Sequence, residues 1–503
     1  MPRRLFLVTI LTAVASFAWS YAPFSPRSSS SIFSLHATSQ LCDKTSLAQD
    51  HLLCSIRNTL QLDKVDWKER QTAIMNRIAQ QIQEDFDASN LVKEDKQLAS
   101  STLVHPPDFE WVHTTEPRYR LAARSLQPIM DYTDVTTLRN EAESAWCTGQ
   151  TSRFTYQRPG NYEVHVTDLS TNAREIVNVC LRNCIYPWIQ NAFGPFGERL
   201  HVYDALIIRY NATEAMQSGA AVGAGQPLHR DLGLVSINIM LNEDFVGGGT
   251  FFENQLGNED SFQPVKPLGV GQAIAHYSSE RHAGSATFQG VRDILVIFVS
   301  GNEAAVKTAM IKQCRSICEA ENVDDAVGGS ICRICHQMMA VELSPHDGEA
   351  WQYLGSALMD FSKISSGEAS QEVLLQCALA CFENAIQFAP CDSRIYNNLG
   401  LLNVRLANAA SSEDVRNEYL TKAEQAYQKG WELLTKSESV GCDVTEDFDS
   451  LTLNFGLLVA NQDRFVDACS ILQRFVSRVE GRSDSRIVND AYMLHSFCQE
   501  NVT

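Results

Sequence analysis

The sequence predicts a multidomain chain, a β-sandwich or barrel with flanking helices followed by an α-helical repeat array. Three observations predict it. Residues 116–301 carry short β-rich runs (LHVYDALIIRY, LVSINIML, GGGTFFE, QAIAHY, DILVIFV) broken by glycine clusters, and strands with few helices between them close into a sandwich or barrel. Residues 302–503 turn helical and repeat themselves at a spacing of 45. The length of 503 residues has room for roughly three domains. Composition excludes some functions. A net charge of −19 argues against nucleic acid or an anionic membrane as partner, because both call for basic patches. The fifteen cysteines are too sparse for a disulfide scaffold. Most sit beside Ala and Leu in helical segments, where a reduced thiol serves as a small hydrophobe.

The first element is a presequence, residues 1–40. A basic tip and an apolar run to Trp19 form a signal-peptide pattern too short to span a membrane. The Ser-rich stretch that follows has no acid; the first acidic residue of the chain is Asp43. Such a stretch is typical of a transit peptide. Ser20-Tyr21-Ala22-Pro23-Phe24 resembles the Ala-Phe-Ala-Pro junction of bipartite plastid presequences in algae with secondary plastids, with Tyr21 where that junction prefers Phe. The expectation is entry into the secretory route, with the plastid preferred to the ER lumen or secretion, and no transmembrane span in the mature chain. Residues 41–115 then read as a helical N-terminal segment. Ile74, Ile78 and Ile82 recur at helical spacing, and Pro106-Pro107 closes a loop.

Within 116–301, one long helix, AREIVNVCLRNCIYPWIQNAF, precedes the strands. In VSINIML, Val235, Ile237, Ile239 and Leu241 alternate with Ser236, Asn238 and Met240, which predicts a strand with one face buried. Just before it stands HRDL, 229–232. A kinase catalytic loop, HRDLxxxN, would place an Asn where Ser236 stands, and the residues that follow alternate as a strand. The other reading is a metal site. Residues two apart on a strand point the same way, so His229 and Asp231 present an imidazole and a carboxylate to one spot. His276 or His282 could supply a third ligand. Two His and one carboxylate leave coordination positions open, as an Fe(II) oxygenase needs, although zinc accepts the same donors.

The segment SERHAGSATFQGVRDILVIFV holds His282, Gly284, Gly290 and, ten residues after His282, Arg292. It resembles HxGxxVxxGxRxxL of the prolyl 4-hydroxylase-like branch of the 2-oxoglutarate/Fe(II)-dependent dioxygenases, with Thr287 where that family prefers Val. The resemblance covers roughly 120–300 and implies a double-stranded β-helix (jelly roll). It implies His229, Asp231 and His282 as Fe(II) ligands, and Arg292 as the grip on the far carboxylate of 2-oxoglutarate. GGGTFFE (247–253) resembles the GGxFxF turn and strand. IIRYNA (207–212) resembles the strand before HxD, with Tyr210 matching a tyrosine that hydrogen-bonds 2-oxoglutarate. KPLGVGQAIAH (266–276) resembles the PxxGxxLxF strand, which makes His276 structural. The segment TEAMQSGAAVGAGQP after Tyr210 is longer than the family's and Gly/Ala-rich, which suggests a flexible lid. The implied reaction couples decarboxylation of 2-oxoglutarate, with O2, to hydroxylation of a C–H bond, and the family uses L-ascorbate to keep iron reduced. Peptidyl proline is the family's default substrate.

In 302–503, CRICHQMMAVELSP aligns with CALACFENAIQFAP. Cys332 matches Cys377, Ala340 matches Ala385 and Pro345 matches Pro390, while Trp351 and Gly355 match Tyr396 and Gly400. The array resembles tetratricopeptide (TPR) repeats, whose period is ~34, with lengthened hairpins. TPR-like repeats suggest a surface that grips a protein or peptide substrate. CRICH could be a haem attachment string, or with Cys314 and Cys318 a zinc site, but the alignment puts Cys332 and Cys335 at helix-packing positions. Two rival functions remain open, a scaffold whose β-domain is vestigial and a dioxygenase acting on a small molecule.

Overall fold

The computed structural model describes, apart from short breaks and isolated positions, residues 42–60, 106–113, 120–149, 158–301, 326–479 and 486–502. The presequence, the Ile74–Ile82 helix and Cys314 and Cys318 lie outside the described residues. No described helix is long and apolar enough to cross a membrane.

Among the described residues, ten strands form two antiparallel sheets. They are β1 (Phe109–His113), β2 (Arg120–Ser125), β3 (Asn161–His165), β4 (Leu200–Asn211), β5 (Val235–Met240), β6 (Phe245–Gly247), β7 (Thr250–Phe252), β8 (Ala273–Tyr277), β9 (His282–Gly284) and β10 (Thr287–Gly301). The main sheet runs β1-β2-β8-β5-β10-β4-β3, with β6 paired to the start of β10, and β7 and β9 form a second small sheet. One face of the main sheet packs on helices α2 (Tyr132–Cys147), α3 (Thr171–Cys180) and α4 (Tyr186–Ala192), the last two joined by the π-turn Leu181–Ile185. Alternation decides which side chains take part. Val235, Ile237 and Ile239 of β5 and Leu295, Ile297 and Val299 of β10 bury against Leu138, Val177, Leu181 and Trp188.

The expectation that β5 buries only one face is corrected, since every residue from Val235 to Met240 is buried. The polar members face the small sheet. Asn238 Nδ2 donates to Thr250 Oγ1 of β7 (3.3 Å), and Ser236 shares a hydrogen bond with Ser278 (2.9 Å). Alternation reported the two faces correctly, but the polar one lines an interior. The main sheet also starts before residue 116. β1, read from sequence as part of the helical segment, pairs with β2 and places Trp111 edge-on to Phe193 at 5.1 Å.

The C-terminal unit is a run of antiparallel helices: α6 (Ala326–Leu343), α7 (Gly348–Phe361), α8 (Glu368–Phe388), α9 (Ser393–Ala409), α10 (Glu413–Ser439), α11 (Thr445–Ala460), α12 (Phe465–Val479) and α13 (Arg486–Asn501). Each packs on the next, and α7, α9, α11 and α13 also meet in succession. The spacing of 45 is visible in the contacts. Trp351 Nε1 donates to Pro345 O and Tyr396 Oη to Pro390 O, both at 2.8 Å, while Asp347 and Asp392 each cap the helix that follows. A Cβ at Gly400 would enter the ring of Tyr427, so the small residue sets how closely α9 and α10 approach. Cys377 and Cys381 are buried between helices, and Cys335 is a free thiol on α6. The N-terminal helix α1 (Cys42–Thr59) is not a lead-in to the sheet. Its Leu53 and Ile56 enter the array's first core beside Met338, Trp351 and Phe382, and Arg57 pairs with Glu342.

Candidate metal centre

His229 precedes β5, and His282 opens β9. Their backbones form a closed pair, His229 N to His282 O and His282 N to His229 O, each 2.8 Å, which sets the imidazole centroids 4.5 Å apart. Each ring is turned by the same device. His229 Nδ1 lies 2.8 Å from Pro227 O, and His282 Nδ1 lies 2.9 Å from Glu280 O. A carbonyl partner makes Nδ1 the protonated nitrogen and leaves the Nε2 lone pair for a metal. Both Nε2 atoms face one carboxylate, His229 at 3.3 Å from Asp231 Oδ1 and His282 at 3.4 Å from Asp231 Oδ2. One donor atom from each of the three lies within 4.8 Å of the others, the one such cluster among the described residues.

The electrostatics are those of a cation site. Burial alone would push Asp231 up, but the charges of His282 and His229 hold its carboxyl well below the usual range. Burial pushes His282 down to about 3, which keeps it neutral. Burial is the largest influence on His229 and lowers it, but the hydrogen bond and charge of Asp231, with the Pro227 carbonyl, together leave it raised. The ionised carboxylate and the two imidazoles are the donor types a divalent cation takes.

Arg292 stands on β10 directly opposite Tyr210 of β4, its guanidinium 5.2 Å from the phenol ring. It is 4% exposed, forms no ion pair among the described residues, and its Nη1 is buried without a hydrogen-bond partner. The contrast with its neighbour is sharp. Asp293, on the opposite side of the strand, is met by Arg209 (2.7 Å) and Arg139 (3.0 Å). A buried guanidinium without a carboxylate is costly, and among the described residues no acceptor takes up the Arg292 Nη1 donors. The triple glycine explains itself here. Gly248 has φ +67°, and a Cβ there would lie 2.7 Å from Arg292 Cδ.

His276 packs its ring 4.4 Å from that of His282, yet it lies outside the converging donor cluster. The Gly/Ala-rich segment after Tyr210, expected to be a flexible lid, is bound into the fold. It begins as helix α5 (Ala212–Gln217), and then Ala224 N and Gln226 N donate to Thr287 O (3.1 Å) and Gly284 O (2.8 Å). These edge groups of the β9–β10 hairpin need partners, and the insertion supplies them.

Sequence reasoning set Arg230 aside and passed over Arg281 and Glu253. All three are buried on the far side of the centre. Arg281 pairs with Glu253, with Asp392 (3.3 Å) and with Asp447 (3.4 Å). Burial first, and then the charge of Asp392, push the Glu253 carboxyl up against the pull of Arg281, Arg394 and Arg230. A folded-state value above the unfolded one means stability that is full at low pH and lost as pH rises past the ordinary glutamate range, ~4.3. Glu253→Gln should therefore cost under about 1 kcal/mol at neutral pH and flatten the loss of Tm as pH rises from ~4.3 to about 8. Melting curves across a pH series check this, and a large loss already at neutral pH would mean that Glu253 is ionised there.

No family model matches the sequence, and no curated protein matches it. Solved structures are similar over about a third of the chain. One is a Pseudomonas putida prolyl-4-hydroxylase (15% identity, 34% of this chain and 89% of that one, TM-score 0.26). Another is SnoK from nogalamycin biosynthesis, described as a non-heme alpha ketoglutarate dependent carbocyclase (16% identity, 34% and 76%, TM-score 0.26). A third is HygX from Streptomyces hygroscopicus, solved with nickel, 2-oxoglutarate and hygromycin B (10% identity, 35% and 81%, TM-score 0.25). Likeness at this level bears on neither substrate nor mechanism.

Proposed function

We propose that the chain is a 2-oxoglutarate- and Fe(II)-dependent dioxygenase of the prolyl 4-hydroxylase-like type, its β-unit a double-stranded β-helix and its helical array TPR-like. The observation that carries this is the pairing of two features, a His229–Asp231–His282 donor set and a buried, unpaired Arg292 beside Tyr210. The donor set suits Fe(II), since two imidazoles and a carboxylate leave positions for a chelating cosubstrate and O2. When bound, Fe(II) with O2 supplies the oxidation that converts 2-oxoglutarate to succinate and CO2 and hydroxylates a C–H bond; L-ascorbate keeps it reduced. His229 and His282 hold it through Nε2 while their Nδ1 protons stay on backbone carbonyls. Arg292 takes the far carboxylate of 2-oxoglutarate in a bidentate grip, and the Tyr210 hydroxyl donates to it.

The substrate we propose is a prolyl or other residue of a protein, bound with help from the array. A groove of about 330 Å³ between α8, α9 and α10, lined by Leu379, Tyr396, Leu399 and Tyr419 among others, supports a peptide-sized ligand. The presequence supports a plastid location.

Anaerobic addition of Fe(II) and then 2-oxoglutarate to the mature chain should give a weak visible charge-transfer band, and folded protein without one would refute the reading. Arg292→Ala should raise the 2-oxoglutarate concentration for half-maximal band by about 100-fold, because removing one partner of a buried charge pair costs about 2–5 kcal/mol. An unchanged titration would take Arg292 out of the site.

A further inference from the structure

We infer that the helical array is a built-in arm of the metal centre, with Arg230 and Arg281 as positioning residues that brace the two ligand-bearing segments from behind. This rests on the metal-centre reading above and adds to it what holds the ligands in place.

Neighbours on an extended chain point to opposite sides. Arg230 sits between His229 and Asp231, and Arg281 immediately precedes His282, so each points away from the metal side. What they meet is the array. Arg230 Nη1 donates to Asp347 Oδ1 at 3.3 Å, and Arg281 Nη1 donates to Asp392 Oδ1 at 3.3 Å. Both carboxylates are fully buried. They are the equivalent capping residues of α7 and α9, one repeat apart. Asp447, in the first turn of α11, takes the other arm of Arg281 at 3.4 Å. Every second helix, α7, α9 and α11, thus offers one N-terminal carboxylate to two arginines of the β-unit.

The two anchors are also joined to each other. Glu349 N donates to Asp347 Oδ1 (3.0 Å), Arg394 Nη2 reaches Glu349 Oε1 (3.0 Å) and Asp392 Oδ2 (2.6 Å). A continuous path therefore runs from His229 and Asp231 through Arg230, Asp347, Glu349, Arg394, Asp392 and Arg281 to His282. The apolar contacts follow the same alternation. Phe251 and Ala283, cross-strand partners in the small sheet, join the array's second core with Tyr427, Val444 and Phe448, while Phe252 and His282 face the site. Simple docking would need only the apolar patch. Two buried arginines adjacent to the ligands, cross-linked through Arg394, whose guanidinium bonds the array carboxylates Asp392 and Glu349, tie ligand spacing to array geometry.

The test measures Co(II) binding to the mature chain by its ligand-field absorption, with Asp231→Ala, Asp392→Asn, Arg394→Gln, Asp447→Asn and the distant surface variant Arg464→Ala. Removing partners that orient metal ligands costs about 10- to 100-fold in metal affinity. That loss is expected for Asp392→Asn, a smaller loss with an altered spectrum for Arg394→Gln and Asp447→Asn, partial rescue by Arg394→Lys, and none for Arg464→Ala. Asp447 is a quarter exposed, so its variant keeps the question open to an answer if Asp392→Asn does not fold. Folded network variants with wild-type Co(II) affinity and spectrum overturn the inference while Asp231→Ala still loses binding. If Asp231→Ala binds Co(II) as tightly as wild type, the metal-centre reading itself fails.

Discussion

Asp231→Ala is expected to abolish Fe(II)- and 2-oxoglutarate-dependent turnover and to weaken metal binding by more than about 100-fold, beyond the loss typical of partners that only orient ligands. The reason is geometric and electrostatic together. The carboxylate is the one anion facing both Nε2 atoms, at 3.3 and 3.4 Å. Without it two buried imidazoles remain, with nothing to offset the charge of a dication in a dry site. Burial would then dominate His229 as it already does His282. Calorimetric metal titration and release of CO2 from 2-oxoglutarate check this on folded protein. Retained turnover would mean that the chemistry is elsewhere.

Ending the chain after Gly301 is expected to give protein that does not fold, rather than a free-standing β-domain. Truncation leaves Arg230 and Arg281 without Asp347, Asp392 and Asp447. Arg281 keeps Glu253, so the pair broken outright is Arg230–Asp347, and breaking a buried pair by removing one partner costs about 3–5 kcal/mol. Uncovering Phe251, which is fully buried in a core shared with the array, adds about 2 kcal/mol. Together these reach the lower end of the stability of an ordinary domain, about 5–15 kcal/mol. Soluble yield and near-ultraviolet circular dichroism of the truncated chain check it, and a cooperative melt would refute it. Deleting the array is for this reason a poor test of substrate gripping, and point changes in the groove, such as Tyr419→Ala, answer that question better.

Particular residues show where sequence reading succeeds. His229 and Asp231 were nameable from one short rule, period two along an extended chain, and their donor atoms converge with one of His282; His282 and Arg292 were named through the family resemblance, and the role of Arg292 is a proposal. The repeat of 45 was readable as well, and the equivalent bonds of Trp351 and Tyr396 to Pro345 and Pro390 are its physical content. Other expectations depended on what covers a face. Ser236 and Asn238 looked solvent-facing because they are polar, yet both are buried, Asn238 bonded to Thr250 of the small sheet and Ser236 to Ser278 beyond β8. The segment after Tyr210 looked flexible because it is Gly/Ala-rich, yet exposed edges at Gly284 and Thr287 hold it.

What the sequence supplied by itself is the pairing of His229 with Asp231, written in the local spacing of an extended chain, and the repeat of 45; the choice of His282 and of Arg292 rested on a family resemblance. Only the tertiary structure decided that the array is joined to the back of the centre. Arg230 meets Asp347 across 117 residues and Arg281 meets Asp392 across 111. A single arginine next to a ligand carries no local mark of its partner. Burial made those charges depend on one another, and burial is a property of the folded chain alone.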